Sequence, residues 1–558
     1  MSSSPPGLEK VGDTAQLIVN GEPFLMRAAE LQNSSLTSAE FMRTVWPKLT
    51  AANINTALGC VTWEHIEPEE GKFDFGELDQ IIADAHANGV HLVLLWFGSF
   101  KNGLSTYVPA WVKQNHQRFP RAKLRVAGGK LETGDVLSIF HSEAQKADAK
   151  AFTALMKHLS QVDRHSTVLM VQVENEIGLL GDSRDGSNAA NERFAAPVPQ
   201  KLVDTLNNDW ESLHPTLKAN LATFKSLKAK PGSSWEETFG ASKQTDELFM
   251  AYHYALYVEQ VASAGKAAYP LPLYTNVWQN YVSDTADNPF PTVAGGGGEP
   301  GDYPSGGGVV NVIDIWQSFA PSLDLIAPDI YLNDYAASCA FYRHRNQPLF
   351  IPEQRRDDYG ARRIWLAYGT FGALAASPFG IDTLDPVTNP YRRHYELLAR
   401  VQYHVLQAQR RPGSSVGFFF DELSGTKDPS PPIRKRFGDW NLLIERSFVF
   451  GKPSPGYGMV IHLDSDRFLL IGQGFQVTFA SAKPTATFTG ILSFLEKEVV
   501  NVKTGQLKTL RGLNGDETRS GKFCIMPSDD PDYGDFPICV TIPANTRIAE
   551  ARPYCLEE

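Results

Sequence analysis

The chain has 558 residues, 63 Asp and Glu against 52 Lys and Arg, a formal net charge of −11 and a pI near 5.7. No basic block is present to neutralise phosphates, so nucleic acid and anionic membranes are excluded as natural partners, and a neutral or cationic small substrate fits better. No segment reaches the roughly 18 consecutive apolar residues of a membrane span, and five cysteines are too few for a disulfide scaffold.

The length predicts two to four domains, one of them a barrel of about 250 residues or more. Residues 1–17 read as a loosely attached lead-in, and Met1 to Lys10 lacks the apolar core of a secretory signal, which predicts a cytoplasmic protein. From there strand-like runs alternate with helical periodicity for nearly four hundred residues, the sign of βα units around a parallel sheet. The first strand, Pro23 to Ala29, ends at Glu30. The following helix, Ser38 to Leu49, sets Phe41, Val45, Trp46 and Leu49 on one face. Strand two, Thr56 to Val61, ends at Trp63-Glu64; a helix from Leu78 to Asn88 follows, with Gly89 as its C-cap. Strand three, Val90 to Leu95, ends at Trp96, with Lys101 just beyond. A helix from Ser142 to Val162 leads into strand four, Val168 to Val173, a β-branched run that stops abruptly in Glu174-Asn175-Glu176.

An insertion, Leu179 to Phe239, and a helix from Asp246 to Ala264 come next. Strand five, Leu271 to Val277, ends in Trp278. Pro289 to Gly308 holds two glycine runs without the G-x-x-x-x-G-K-[ST] phosphate pattern and reads as a mobile loop at the pocket edge. Strand six, Leu323 to Ile330, ends in Tyr331, and strand seven ends at Glu353. A helix from Arg362 to Ala375 leads to strand eight, Pro378 to Ile381, which ends in Asp382. Eight strand-helix units make a (β/α)8 TIM barrel over 18–410 the economical α/β fold, with functional residues at the carboxyl ends of the strands. From 411 to 558 short strands separated by Gly, Asp-Ser and Pro turns predict a smaller C-terminal antiparallel, β-sandwich-like domain, with Asp421-Glu422 at the interface between the two. A disulfide among Cys524, Cys539 and Cys555 is one alternative for that domain.

Glu176 and Glu353 lie far apart in the chain, and only a fold that gathers strand ends on one face brings them together. Two carboxylates at a barrel mouth ringed by aromatics suit glycoside hydrolysis: one acid protonates the leaving oxygen while the other attacks the anomeric carbon, which needs the carboxyls about 5 to 5.5 Å apart. Taken singly, each is equally compatible with a solvated strand-end acid; their coincidence with the tryptophans points to a site. Neither H-E-x-x-H nor C-x-x-C nor G-x-S-x-G occurs, so no metal and no cofactor is expected. Glu174 is read as structural, turned away from Glu176.

Six stretches, Trp63 to Phe75, Leu94 to Asn102, Val171 to Gly178, Tyr303 to Gly307, Ala327 to Tyr331 and Phe350 to Glu353, together resemble the clan A glycoside hydrolases. More narrowly, the chain resembles the family 35 β-galactosidases that carry a C-terminal β domain, with some similarity to family 42. The resemblance implies Glu176 as general acid/base and Glu353 as nucleophile. It also implies that Asn175 bonds the sugar 2-hydroxyl and Tyr331 donates to Glu353, with Arg355 or Arg356 adding positive potential. Gln354 departs from the usual residue after the nucleophile. Glu30 and Glu64 are candidate acceptors for the hydroxyls of a terminal galactose. Trp63, Trp96, Trp278 and Trp316 are candidate sugar contacts or core, and Lys101 either bonds a ring hydroxyl or pairs with Glu64. The activity implied is that of a retaining exo-β-galactosidase on galactose-containing oligosaccharides, for example from plant cell walls. Exo action follows if the two insertions wall the pocket. Another retaining β-glycosidase (α-L-arabinopyranosidase, β-glucosidase, β-mannosidase) or a non-catalytic sugar-binding barrel stays open, as does a homodimer formed through the C-terminal domain.

Overall fold

The computed structural model describes residues 4–227, 230–281, 296–423, 428, 430–447, 454–513, 515–528 and 545–557. Residues 538–542, read from the sequence as one of the short C-terminal strands, Cys539 within them, and the 289–295 part of the glycine-rich segment lie outside these residues.

Eight parallel strands form the barrel: β4 (Ala28–Glu30), β5 (Thr56–Thr62), β6 (His91–Lys101), β9 (Val168–Asn175), β10 (Leu273–Trp278), β11 (Leu325–Asp329), β12 (Ile351–Gln354) and β13 (Ala376–Pro378). Six of them are hydrogen-bonded in the order β11-β10-β9-β6-β5-β4, and β12 pairs with β13. Two seams close the ring. Ile330 N–H donates to Glu353 O at 2.9 Å, joining the sixth strand to the seventh. Between the eighth and the first, the Tyr395 hydroxyl reaches the carbonyls of Ala28 and Ala376, and Asp382 accepts from Gln32 N–H and Ser35 Oγ. A helix follows each strand: α1 (Ala39–Ala51), α2 (Gly76–Ala87), α3 (Ser142–Val162), α4 (Lys243–Ala268), α5 (Ile313–Phe319), α6 (Tyr335–Phe341), α7 (Asp358–Gly369) and α8 (Tyr391–Gln409). Ser38, Ser242, Asp334 and Asp357 each accept a backbone N–H of the first turn and so fix where α1, α4, α6 and α7 begin.

Several expected boundaries move. The stretch read as a lead-in holds β1 (Gly7–Val11) and the start of β2 (Thr14–Val19), which with β3 (Glu22–Phe24) form an antiparallel sheet. Leu17 and Val19 of β2 pack with Met26, Leu58, Val93, Leu169 and Leu325, so this sheet seals the end of the barrel remote from the strand carboxyl ends. On α1 the buried face is Met42, Val45, Trp46 and Leu49, and Phe41 is half exposed. The seventh helix begins at Asp358, not Arg362, because Asp357 caps it. The eighth strand is Ala376–Pro378; Gly380, with φ of +68°, turns the chain into a 3-10 turn at Ile381–Thr383. An additional hairpin, β7 (Arg121–Val126) and β8 (Lys130–Leu137), lies between β6 and α3. No described helix is long and apolar enough to cross a membrane.

The C-terminal region contributes β14 (Ser415–Phe420), β15 (Ile433–Phe437), β16 (Trp440–Arg446), β17 (Gly456–Asp464), β18 (Arg467–Gln473), β19 (Phe475–Ser481), β20 (Ala486–Asn501), β21 (Gln506–Gly512), β22 (Cys524–Met526) and β23 (Ile548–Glu557). They make a six-stranded sheet, β14-β17-β18-β23-β20-β21, and a four-stranded sheet, β15-β16-β19-β22, around an apolar core that includes Phe418, Phe468, Phe475 and Phe494. Cys524 and Cys555 are free thiols.

The two domains meet at close quarters. Arg363 and Arg362 of α7 bond Asp421, at 2.6 and 3.2 Å. A Cβ at Gly417 would stand 1.8 Å from the Trp365 carbonyl oxygen. Backbone meets backbone there, so Gly417→Ala is expected to destabilise the fold by about 1–3 kcal/mol, read as a lowered midpoint in thermal unfolding; an unchanged midpoint would show that the domains separate without cost.

Candidate active site

At the carboxyl end of the barrel a cavity of about 250 Å³ is lined by Asn33, Lys101, Asn102, Glu176, Trp278, Gln279, Asp329, Tyr331, Leu332, Asn333, Glu353 and Phe379. These residues come from the ends of seven of the eight strands. No residue of the insertion 179–239 lines it, so the expected wall is not built by that segment; its helices pack on α4 and the outer layer instead. The described part of the glycine-rich segment is not a loose edge either. A Cβ at Gly178 would meet the Pro304 backbone at 2.4 Å, Leu179 and Ser305 exchange backbone bonds, and Tyr303 donates to the buried Glu247 at 2.8 Å.

Strand β9 delivers its acids by breaking regular geometry. A flat strand would point Glu174 and Glu176 to the same face, but both adopt positive φ, +63° and +44°. Glu174 therefore turns back to accept the N–H groups of Ser99 and Phe100 beside Asp148, while Glu176 enters the cavity. The Asn276 side chain on β10 holds the strained residue: its Oδ1 accepts the Glu176 N–H at 2.9 Å. The Nδ2 of Asn276 donates to Asp329 Oδ2 at 2.7 Å and to Glu353 Oε1 at 3.3 Å. Carboxylate oxygens of Glu176, Asp329 and Glu353 lie within 4.8 Å of one another. Across the cavity, Tyr331 donates to Glu353 Oε2 at 2.7 Å, and Lys101 Nζ donates to Asn175 Oδ1 at 2.9 Å.

The electrostatics separate the acids. Burial, then the neighbouring Glu353, pushes the Glu176 carboxyl up to about 7, against the pull of Lys101. Burial followed by Glu353 likewise holds Glu30 and Asp329 well above the carboxylate range. Burial disfavours the Lys101 ammonium, yet Glu353, Glu176, Glu30 and Asp329 outweigh it and its pKa lies above the ordinary lysine value. Burial, then Glu353, raises the Tyr331 phenol well above its usual value, so it stays a donor. Buried polar atoms without a partner cluster here: both oxygens of Glu30, Asn33 Oδ1, Asn102 Oδ1, Asn175 Nδ2 and Asp329 Oδ1. Such groups are costly unless a ligand meets them.

Of the residues expected at the site, Lys101, Glu176, Trp278, Tyr331 and Glu353 line the cavity; Asn175 and Glu30 are buried beside them, Asn175 bonded to Lys101 and Glu30 within the field of Lys101. Four candidates stand elsewhere. Trp63 is fully buried, its indole bonded to Glu67 Oε2. Trp96 bonds Asp148 of α3, because it shares the face of Leu92 and Leu94, which pack against the helices. Trp316 lies on α5, bonded to Gly306 O. Glu64, on a helical turn after β5, pairs with Lys113 at the surface and not with Lys101. Arg355 and Arg356 turn to Asp357 and Gly380 O, away from Glu353. Gln354 is tied to Tyr335, Gly360 O and Tyr391, anchoring the strand beside Glu353. Asn33, Asn102, Asn276, Gln279 and Asp329 also belong to the site, and no motif of the sequence assigns them a role there. Asp329 had a signal of its own, a strand-end carboxylate of the same kind as Glu176 and Glu353.

Two family models match parts of the chain. Residues 37–220 match the glycoside hydrolase family 42 model, described as Beta-galactosidase. That segment runs from α1 into the insertion and includes Glu176 but not Glu353. Residues 391–525 match Domain of unknown function (DUF5597). No curated protein matches the chain significantly. Similar solved structures include the β-galactosidase from Bacillus circulans sp. alkalophilus, with 14% identity over 69% of this chain and 57% of that one, at a TM-score of 0.45. The β-galactosidase of the Antarctic haloarchaeon Halorubrum lacusprofundi shows 16% identity over 67% and 58%, at 0.46. That of Rahnella sp. R3 shows 16% over 64% and 50%, at 0.40. The chain thus spans less than two thirds of the length of each.

Proposed function

We propose that the protein is a retaining β-galactosidase that removes terminal β-D-galactosyl residues from oligosaccharides. The observation that carries the reaction type is the Glu176–Glu353 pair: two carboxyls close across one cavity, one of them pushed up to about 7 and the other accepting a phenol hydrogen bond. That is the division of labour a double displacement needs. Glu176 gives its proton to the glycosidic oxygen as Glu353 attacks the anomeric carbon; Glu176 then takes a proton from the water that releases the sugar. Asn175 Nδ2, unpartnered beside Lys101, is placed to bond the 2-hydroxyl, and the unpaired oxygens of Glu30 to accept further hydroxyls, contacts that reject a sugar lacking them. The sugar preference is supported by the motif resemblance and by the Beta-galactosidase description of the matching family model. The narrower placement in family 35, and a role on plant-wall oligosaccharides, rest on the motifs and the C-terminal β domain alone and belong to this proposal.

Initial rates on aryl β-glycosides of galactose, glucose, mannose, fucose and arabinopyranose test it. Galactoside preference is expected; hydrolysis confined to another sugar, or none by the wild-type protein, rejects it. Tyr331→Phe deletes one hydrogen bond to the nucleophile carboxylate and is expected to lower kcat by roughly 10- to 100-fold with a small change in KM, measured by steady-state kinetics. An unaltered kcat would remove Tyr331 from the machinery.

A further inference from the structure

A third acid at the cavity has no part in the scheme above. Asp329 ends β11, is almost fully buried, and lines the cavity between Glu176 and Glu353. Its Oδ2 accepts from Asn276, and its Oδ1 is a buried atom without a hydrogen-bond partner. Carboxyl oxygens of Asp329 and Glu176 lie within 4.8 Å of each other and of Glu353, a crowding that disfavours ionising both. The charged and titratable groups facing Asp329 come from five other strands: Glu353 on β12, Glu176 just after β9, Glu30 on β4, Lys101 on β6 and Tyr274 on β10, with Tyr331 after β11 and Tyr342 after α6. Four carboxyls face one ammonium. A single buried cation balances a single buried anion, and the attacking group must be that anion.

We propose that Asp329 is a third acid of the catalytic centre, a protonated carboxyl that donates a hydrogen bond to Glu176 and stabilises the carboxylate Glu176 becomes once the leaving group has taken its proton. The inference rests on the reading of Glu176 as acid/base. The proton count closes without using the Asp329 hydrogen. In the first step the Glu353–anomeric carbon bond forms, the glycosidic C–O bond breaks, and the Glu176 proton goes to the departing oxygen. In the second, water bonds to the anomeric carbon, its proton goes to Glu176, and the Glu353 carboxylate departs. Asp329 keeps its proton throughout. What changes is its acceptor, from a neutral carboxyl to an anion, where the bond is about twice as strong. The stabilisation therefore grows as the Glu176 proton leaves, so the transition state of the first step gains relative to the ground state.

Asp329→Asn retains a neutral donor at this position and Asp329→Ala removes it, so the two variants part. Asn is expected to keep kcat within about 10-fold of wild type, with the alkaline limb of kcat/KM in place. Ala is expected to lose roughly 10- to 100-fold on alkyl galactosides, which need the acid, and much less on aryl galactosides with acidic leaving groups, with the alkaline limb moved to higher pH. Equal losses for Asn and Ala, or an Ala loss independent of the leaving group with the limb unmoved, overturn the proposal. A second measurement does not depend on turnover. The infrared difference between wild type and Asp329→Asn at neutral pH should show a protonated-carboxyl C=O band that the variant lacks; its absence shows Asp329 ionised and overturns the inference even if the wild type cleaves no galactoside. An inactive wild type with the band present rejects the galactosidase reading alone.

Discussion

Glu353→Ala is expected to lose activity by on the order of 10⁵-fold or more, the scale on which enzymes fail when a covalent nucleophile is deleted. The loss is large because nothing else at the cavity can replace it. Asp329 and Glu30 are held well above the carboxylate range chiefly by burial, which the substitution leaves in place, and on the proposed reading Glu176 is engaged as the acid. The surrounding donors, the Tyr331 hydroxyl and Asn276 Nδ2, survive the substitution and leave a small cradle suited to an anion. Azide entering that cradle should attack an activated aryl galactoside from the face Glu353 used and, with only one displacement, give the α-galactosyl azide. The product anomer is read by NMR. Residual activity within 100-fold of wild type, or a β-azide, would assign the nucleophile elsewhere.

Much of the barrel was legible because each strand is an apolar run bounded by polar residues and followed by helical periodicity. Glu176, Glu353, Tyr331, Trp278 and Lys101 were found by the rule that strand carboxyl ends carry chemistry. The same rule failed where the end of a strand was misjudged. On β6 the runs Val93, Leu95, Phe97 and Leu92, Leu94, Trp96 belong to opposite faces, the first inside the barrel and the second against the helices. Trp96 shares the parity of Leu92 and Leu94, which sends it outward with them. Trp63 and Glu64 sit on a helical turn, where the period of two no longer applies. The sealing sheet β1–β3 escaped notice because its strands are three to six residues long and follow a Ser-Pro-rich start. Asn33, Asn102 and Asn276 had no local signal: what marks them is the partners they keep or lack once the strand ends converge. The separation of Glu174 from Glu176 depends on two left-handed residues, which no pattern of apolar spacing encodes.

The acid/base makes an opposite set of demands on the same substrates. With Glu176 pushed up to about 7, the fraction carrying the required proton is near complete in acid and declines as pH rises through about 7, so kcat/KM should have an alkaline limb there. Glu176→Ala should lose that limb. Its cost should depend on the leaving group, about 10²- to 10⁴-fold for alkyl galactosides and far less for aryl galactosides that depart without protonation. With such an aryl substrate the first step survives, the glycosyl-enzyme accumulates as a burst, and release becomes slow because no base activates water. Azide needs no base. It should restore turnover and, attacking the ester formed by Glu353, give the β-galactosyl azide, the opposite anomer from the nucleophile variant. A limb that persists in Glu176→Ala would place the titrating group on another residue of the cluster, and an α-azide from this variant would exchange the roles of the two glutamates.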